Sequence, residues 1–196
     1  MIVTISKEYG SSAIAAAQAT AELLGYELID DQLPTVVALR LSTSPENVEA
    51  AEDARRTVGE RILAGFELAT PEISAPVEFG ESFDERCLRE VQGAVREYAA
   101  HGDVVIVGRA ANAILGRRPD VLRVFLHAPR DWRIHRIAAG TGADEKTAAK
   151  EVDRIDAARR AYLADWYDLR WGHRENYDLL VDTSAFGTDG TAGLIA

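Results

Sequence analysis

The sequence predicts an α/β fold in which a five-stranded parallel sheet is flanked by helices. Five short apolar runs alternate with helix-length segments, and this alternation is typical of a parallel sheet with right-handed crossovers. The run at residues 104–107 (VVIV) is apolar without interruption, as expected of a strand buried on both faces. The 196 residues are enough for one domain with a full core, so we expect a single domain, residues 1–196.

The elements follow in a regular order along the chain. Two helix starts carry a cap and a proline: Asp30 or Asp31 with Pro34 in the first turn, and Ser44 with Pro45 at the first helical position. Residues 70–82 show no clear period and are expected to be irregular. A short helix is expected in the tail, from Gly187. We expect strands at residues 2–5, 26–29, 104–107, 121–126 and 177–182. We expect helices at about residues 13–24, 31–41, 45–68, 83–100, 131–139 and 144–166.

Composition excludes several classes of function. A formal charge of -10 argues against binding along a nucleic-acid backbone, which needs a basic stripe. The single Cys87 allows no intrachain disulfide and fits a reducing compartment. No signal peptide is recognisable at the N-terminus, and no apolar run approaches the roughly 20 residues of a membrane helix. We therefore expect a cytoplasmic protein with no nucleic-acid or membrane partner.

Candidate functional residues follow the predicted strands, because ligands of parallel sheets bind at the carboxyl ends of the strands. These residues come directly after the five apolar runs. They are residues 6–12, Asp30, Asp31, Gly108, Arg109, His127, Asp182 and Thr183.

The first of these segments has the layout of a phosphate-binding loop: strand, glycine-containing turn, helix. Gly10, Ser11 and Ser12 would present backbone N–H groups at a helix N-terminus, where the helix dipole favours an anion. The lysine and hydroxyl of the pattern G-x-x-x-x-G-K-[ST] are absent, since residues 13–16 read AIAA. The alternative is an ordinary strand–turn–helix.

Arginines form the second group of candidates. Arg109 ends the buried strand, where its planar fork suits a phosphate, although it could instead form a surface salt bridge. Arg154, Arg159 and Arg160 lie on one long predicted helix with alternating charges. That helix is either a solvated, salt-bridged face or a lid that brings arginines to a transferring phosphoryl group.

Other polar and aromatic residues leave alternatives open. Asp30 and Asp31 could cap a helix, or one of them could face the ligand as a base or metal partner. The four histidines show no metal-ligand spacing, and no metal site is predicted. An aromatic series favours a core or dimer face over a base-stacking platform. It comprises Tyr162, Trp166, Tyr167 and Trp171.

Five segments in order resemble the cytidylate kinase-like proteins, a branch of the nucleoside monophosphate kinases. Residues 5–11 (ISKEYGS) resemble the family's opening I-S-R-E-Y-G-S-G-G-R, and residues 105–111 (VIVGRAA) resemble its I-x-V-G-R-G/A-A. Three weaker matches add to these. They are residues 26–31 (G-Y-x-x-x-D), residues 118–133 (P-D-x-x-x-V-F-L/I…R) and residues 177–184 (Y-D-L-x-x-x-T).

The resemblance implies a P-loop kinase fold that uses ATP and Mg²⁺ as donor and a nucleoside monophosphate, typically CMP or dCMP, as acceptor. It implies an acceptor-binding helical region at about residues 31–100 and a lid at about residues 140–171. The charged helices at residues 45–68 and 144–166 could supply the face of a homodimer. Matched by position, the implied roles are these. Gly10, Ser11 and Ser12 lie in the phosphate loop, Asp30 lies in the acceptor region, Arg109 contacts the acceptor phosphate, and Arg154, Arg159 and Arg160 act from the lid. Two further candidates are not matched by position: Lys7 for the donor phosphates and Asp31 for the acceptor.

The chain departs from the family pattern inside the phosphate loop. Ser12, Ala13 and Ile14 stand where the family has Gly-Gly-Arg, so two glycines and one charge are missing. Our first hypothesis is a phosphotransferase in which Lys7 or a lid arginine supplies the missing charge. A catalytically inactive relative that binds a nucleotide or a protein partner is the alternative, and a small-metabolite kinase is a weaker third.

Overall fold

The computed structural model describes residues 1–30, 32–48 and 83–196. Five parallel strands form one sheet in the order β2-β3-β1-β4-β5, which confirms the predicted sheet. The expected helix after Pro45 lies mostly outside the described residues, and so do the irregular stretch 70–82 and Asp31. The strands are β1 (Ile2–Lys7), β2 (Glu27–Ile29), β3 (Val104–Val107), β4 (Val121–His127) and β5 (Leu179–Asp182).

Helices cover both faces of this sheet. Among the described residues the helix positions follow the sequence-based expectation with a few exceptions. The short helix after β3 and a 3₁₀ helix at Arg174–Asn176 were not predicted, and the last helix begins before Gly187. The helices are α1 (Ala13–Leu24), α2 (Gln32–Leu41), α3 (Phe83–His101), α4 (Ala111–Leu115), α5 (Arg130–Thr141), α6 (Glu145–Tyr167) and α7 (Thr183–Ile195).

Strand β1 lies in the middle of the sheet and carries the core on both sides. Alternate residues face opposite directions, so Ile2 packs with α2 and α3 while Val3 and Ile5 pack with α1 and α7. The same alternation in β3 explains why its four residues are all apolar and buried. The carboxyl end of β1 therefore lies in the middle of the edge that the carboxyl ends of the five strands form.

Several element ends differ from the sequence-based expectation; β5, for example, begins at Leu179 and not at residue 177. β1 continues to Lys7 because Ser6 and Lys7 still pair with β4. The last helix begins at Thr183, because the carboxylate of Asp182 accepts the Ser184 N–H and caps it. Gly187, at φ 64°, interrupts that helix, so the tail helix predicted from this residue is only its second part. Among the described residues, no helix has the length and apolarity needed to span a membrane.

Candidate active site

Two clefts open at the carboxyl edge of the sheet, and Lys7 and Arg159 line both of them. The β3 cleft has a volume of about 280 Å³ and the loop cleft about 440 Å³. The β3 cleft is lined by Ser6, Lys7, Asp30, residues 107–110, Ala158, Arg159, Tyr162, Leu163 and Trp171. The loop cleft is lined by residues 7–15, Gln18, Arg136 and Arg159.

The turn before α1 keeps an anion-binding shape although the family glycines are missing. Ser12 takes the left-handed conformation itself, at φ 58° and ψ 14°, and Ala13 is already helical. The Ser12 side chain makes no capping hydrogen bond, so it does not occupy the first N–H groups of the helix. These donors and the positive end of the helix dipole face the loop cleft.

Gly10 is required by the packing of this turn. Its φ is +81°, and an added Cβ would lie 3.1 Å from Ile137 Cγ1 and 3.2 Å from the carbonyl oxygen of Arg133. The turn is also held from the opposite side, where Thr183 Oγ1 lies 2.5 Å from the carbonyl oxygen of Ser11. Gly10 therefore lets the turn rest directly on α5.

Three cationic side chains line the loop cleft, on β1, α5 and α6: Lys7, Arg136 and Arg159. Ile14 lies at the same cleft, half exposed, and carries no charge. Arg136 was not predicted as a site residue from the sequence. The spacing of Arg133 and Arg136 on the helix after β4 could have indicated it, because residues three apart lie on the same side of a helix. Arg133 is buried there, and Arg136 reaches the cleft.

The β3 cleft contains the strained turn that carries Arg109. Gly108, Arg109 and Ala110 adopt positive φ values in succession, 74°, 52° and 53°. Left-handed backbone at two non-glycine residues costs about 1–2 kcal/mol each, and such strain is concentrated at functional sites. The turn places Arg109 at the end of β3, beside the end of β1.

Acidic and basic groups meet in the β3 cleft. The Lys7 ammonium lies 3.7 Å from a carboxylate oxygen of Asp30, and both side chains are about one-fifth exposed. The structure thus brings together Lys7, Asp30, Arg109 and Arg159, which are far apart in the sequence. Asp31, the other acidic candidate, lies outside the described residues.

Of the three arginines expected in the lid, Arg159 alone lines these two clefts. Its Nη1 donates to the carbonyl oxygen of Lys7 over 2.9 Å, and its guanidinium carbon lies 6.0 Å from the centre of the Tyr9 ring. Arg154 and Arg160 are exposed and line neither cleft. Arg160 instead lies over the ring of Trp171, at 5.8 Å.

Aromatic side chains form one wall of the β3 cleft. Tyr162 and Trp171 line it, and Trp171 packs edge-on against Phe125 with ring centres 5.5 Å apart. Helical spacing alone favoured a core or dimer role for this aromatic series. Trp171 lies in the turn after α6, which brings it back over the sheet, so helical spacing could not predict its position.

Tyr9 connects the loop to the lid helix. Its hydroxyl donates to the carboxylate of Glu151 over 2.9 Å. Burial, followed by this hydrogen bond, raises the pKa of Tyr9 above its ordinary value, so the hydroxyl stays protonated and remains a donor at neutral pH.

The family of the chain follows from comparison with known proteins. The model of the cytidylate kinase-like family matches residues 2–185, which is nearly the whole sequence. The chain belongs to the cytidylate kinase-like family. Membership in this family supports kinase-type phosphotransfer involving a nucleotide as the general chemistry of the site.

Archaeal cytidylate kinases are among the curated relatives of this family member. The chain is 28% identical to the cytidylate kinase of Methanocaldococcus jannaschii over 128 residues, or 64% of the chain and 69% of the relative. It is 26% identical to the cytidylate kinase of Haloarcula marismortui over 192 residues, or 97% of the chain and 84% of the relative.

Solved structures confirm the P-loop kinase fold. An uncharacterised protein from Eubacterium ventriosum superposes with a TM-score of 0.67 at 21% identity, covering 100% of this chain and 98% of the other. A shikimate kinase from Bacteroides thetaiotaomicron superposes with a TM-score of 0.52 at 12% identity, covering 99% of this chain and 95% of the other. At these identities the likeness concerns the fold alone.

Proposed function

We propose that the protein is an ATP-dependent phosphotransferase whose acceptor is a nucleoside monophosphate, with CMP as the first candidate. The observation that carries this proposal is the pair of clefts that share Lys7 and Arg159. Phosphoryl transfer depends mostly on positioning and on neutralising charge between donor and acceptor. Two cations at the boundary between two clefts meet both requirements.

The loop cleft is the proposed donor site, and its residues fit a polyphosphate. The first N–H groups of α1 would bind phosphate oxygens, and Lys7, Arg136 and Arg159 would neutralise them. ATP with Mg²⁺ would supply the γ-phosphoryl group. Among the described residues no cluster of three metal-ligating side chains occurs, so the ion would depend on phosphate oxygens and water, with the Ser12 hydroxyl as the candidate protein ligand.

The β3 cleft is the proposed acceptor site. Arg109 and Lys7 would bind the acceptor phosphate, and Asp30 would orient Lys7 through their ion pair. Tyr162 and Trp171 line the cleft on the side of α6 and would limit the access of water to the transfer. CMP leads the candidates because the curated relatives named above are cytidylate kinases.

A direct assay tests this proposal. ATP and Mg²⁺ are incubated with CMP, dCMP, UMP, AMP or shikimate, and ADP formation is measured. We expect turnover with at least one nucleoside monophosphate, and a loss of about 100-fold or more in kcat for Arg159→Ala. Arg118→Ala is the matched control, because Arg118 precedes β4 at the opposite edge of the sheet and pairs with Asp120. Absence of turnover with every nucleoside monophosphate, with or without turnover of shikimate, would overturn the proposal.

The second candidate is a relative that binds a nucleotide without turning it over. Ile14 favours it, because this apolar residue lies at the loop cleft where the family carries an arginine. Calorimetry separates the two candidates: ATP binding with no phosphoryl transfer to any acceptor would support the second.

A further inference from the structure

We propose that Arg133 and Asp156 act as positioning residues that latch the phosphate loop to the lid helix through the backbone of Tyr9. We call them the inner pair. The latch holds Arg159 between the two clefts before any nucleotide binds. The expected effect of the latch on catalysis rests on the proposed phosphotransfer. The restraint that it places on the Tyr9 backbone does not depend on any activity.

Both peptide groups of Tyr9 are held by the inner pair. One Asp156 oxygen accepts the Tyr9 N–H over 2.9 Å, and Arg133 Nη1 donates to the Tyr9 carbonyl oxygen over 2.9 Å. The same Nη1 donates to the other Asp156 oxygen over 2.7 Å. The two side chains thus satisfy both the N–H and the carbonyl group of Tyr9, as the backbone of a neighbouring strand would. Arg133 belongs to α5 and Asp156 to α6.

A second salt bridge on the same two helices provides an internal comparison. Arg130 and Asp153, the outer pair, lie three residues before the inner pair on each helix and are joined by a bidentate contact of 2.7 and 2.9 Å. Both outer side chains are about half exposed, and their ion pairs join only residues of these two helices. The outer pair joins α5 to α6, whereas the inner pair joins both helices to the loop.

Burial indicates that the inner pair serves more than helix packing. Arg133 and Asp156 are only 5% and 6% exposed. A buried ion pair often adds no stability over apolar residues of the same size, whereas losing one partner is costly. Here Arg133 Nε makes two further contacts: it donates to the Ala128 carbonyl oxygen, just after β4, and lies 3.2 Å from a carboxylate oxygen of Glu8, just after β1.

The latch reaches the clefts through its neighbours in the chain. Gly10, directly after Tyr9, packs on the backbone of Arg133 and begins the turn that presents the N–H groups of α1. Arg159 lies nearly one helical turn beyond Asp156 and donates to the Lys7 carbonyl oxygen. The loop and the lid arginine therefore share one support.

Amide hydrogen exchange of Tyr9, followed by NMR, tests the latch without any ligand. We expect Asp156→Asn to speed exchange of the Tyr9 N–H at least about tenfold relative to the Ile5 N–H in the central strand. Asp153→Asn breaks the outer pair as the matched control and should leave this ratio unchanged. Equal ratios in the two variants would overturn the proposal.

A second variant covers the case in which Asp156→Asn does not fold. Arg133→Lys keeps the charge but loses the planar fork that reaches Tyr9 and Asp156 together, so Tyr9 exchange should again accelerate. An unchanged Tyr9 ratio in folded Arg133→Lys would overturn the latch.

Kinetics add the catalytic readout. In the folded variants we expect kcat to fall about tenfold or more with the acceptor KM nearly unchanged, because Arg159 would be misplaced in the transition state. A folded variant in which Tyr9 loosens while kcat stays unchanged would overturn the catalytic part of the proposal. If the native protein turns over no nucleotide, the proposed function fails while the exchange ratios still decide the latch.

Discussion

Arg159 donates a hydrogen bond of 2.9 Å to the carbonyl oxygen of Lys7, so helix α6 contacts the central strand where that strand ends. The backbone of Lys7 supports the lid arginine, and the side chain of Lys7 faces Asp30 across the β3 cleft. Lys7 therefore holds the Arg159 guanidinium in place through its backbone and supplies a second cation with its own side chain.

Removing the Lys7 charge should impair phosphotransfer while the lid contact, made by the backbone, remains. For Lys7→Met we expect kcat to fall about 100-fold and ATP affinity to fall about tenfold, because phosphate oxygens lose a cation in both clefts. Steady-state kinetics and calorimetry with ATP measure the two effects. Lys146→Met, exposed near the start of α6, is the control and should behave as the native protein.

Restoring the cation of the family loop should strengthen anion binding. In Ile14→Arg a guanidinium would enter the loop cleft, and we expect the Kd for ATP to fall about tenfold at low salt, with a smaller gain at high salt. Leu23→Arg places the same charge on an exposed position at the other end of α1. Equal effects of the two substitutions on ATP binding would contradict a phosphate role for the loop cleft.

Ser12→Gly should stabilise the protein. The left-handed backbone at φ 58° costs a serine about 1–2 kcal/mol, and the greater freedom of glycine in the unfolded chain cancels part of the gain. We expect a net increase of about 0.5–1 kcal/mol in the free energy of unfolding, measured by urea denaturation. Ala15→Gly, on exposed helical backbone of α1, should change stability in the opposite direction.

The salt bridge between Arg123 and Asp178 should make stability depend on pH. Arg123 is buried, and its guanidinium donates to Asp178 over 2.6 and 2.9 Å. These hydrogen bonds hold the pKa of Asp178 below its usual value. Because the folded pKa is depressed, the stabilisation is complete above the unfolded value of about 4 and is lost as pH falls through the folded pKa.

The matching substitution is Asp178→Asn. It should lower the free energy of unfolding by about 1–2 kcal/mol at pH 7, a range reduced because the Asp178 side chain is 41% exposed. The difference from the native protein should shrink as pH falls below about 4. Asp189→Asn, exposed on α7, should stay within about 0.5 kcal/mol of the native protein. A constant difference between pH 7 and pH 3 would contradict this account.

The strands could be predicted from the sequence because a strand that is buried on both faces consists of consecutive apolar residues, and such a run can be recognised without knowledge of the rest of the fold. Residues 104–107 are the clearest case, and the five strands fall where such runs occur. The strand order could not be predicted this way, because no local pattern states that β1 lies between β3 and β4. Their contact depends on crossovers of about one hundred residues.

The candidate site could be predicted where a residue directly follows a strand. Lys7, Asp30 and Arg109 were identified on this basis, and they line one cleft. Arg136 and Trp171 were missed as cleft residues because they reach it from a helix face and from a turn, where orientation depends on tertiary packing. The roles of all these residues, the domain boundaries and the homodimer stay predictions.

The position of β1 also bears on how the polypeptide acquires its site. This strand is made first, yet its two partners in the sheet are residues 104–107 and 121–127. During synthesis β1 therefore has no sheet partner until residues 104–107 have been made, and it gains its second partner only with residues 121–127. The phosphate loop follows β1 directly but rests on α5 and α6, so it can reach its final form only after both of these helices have been made.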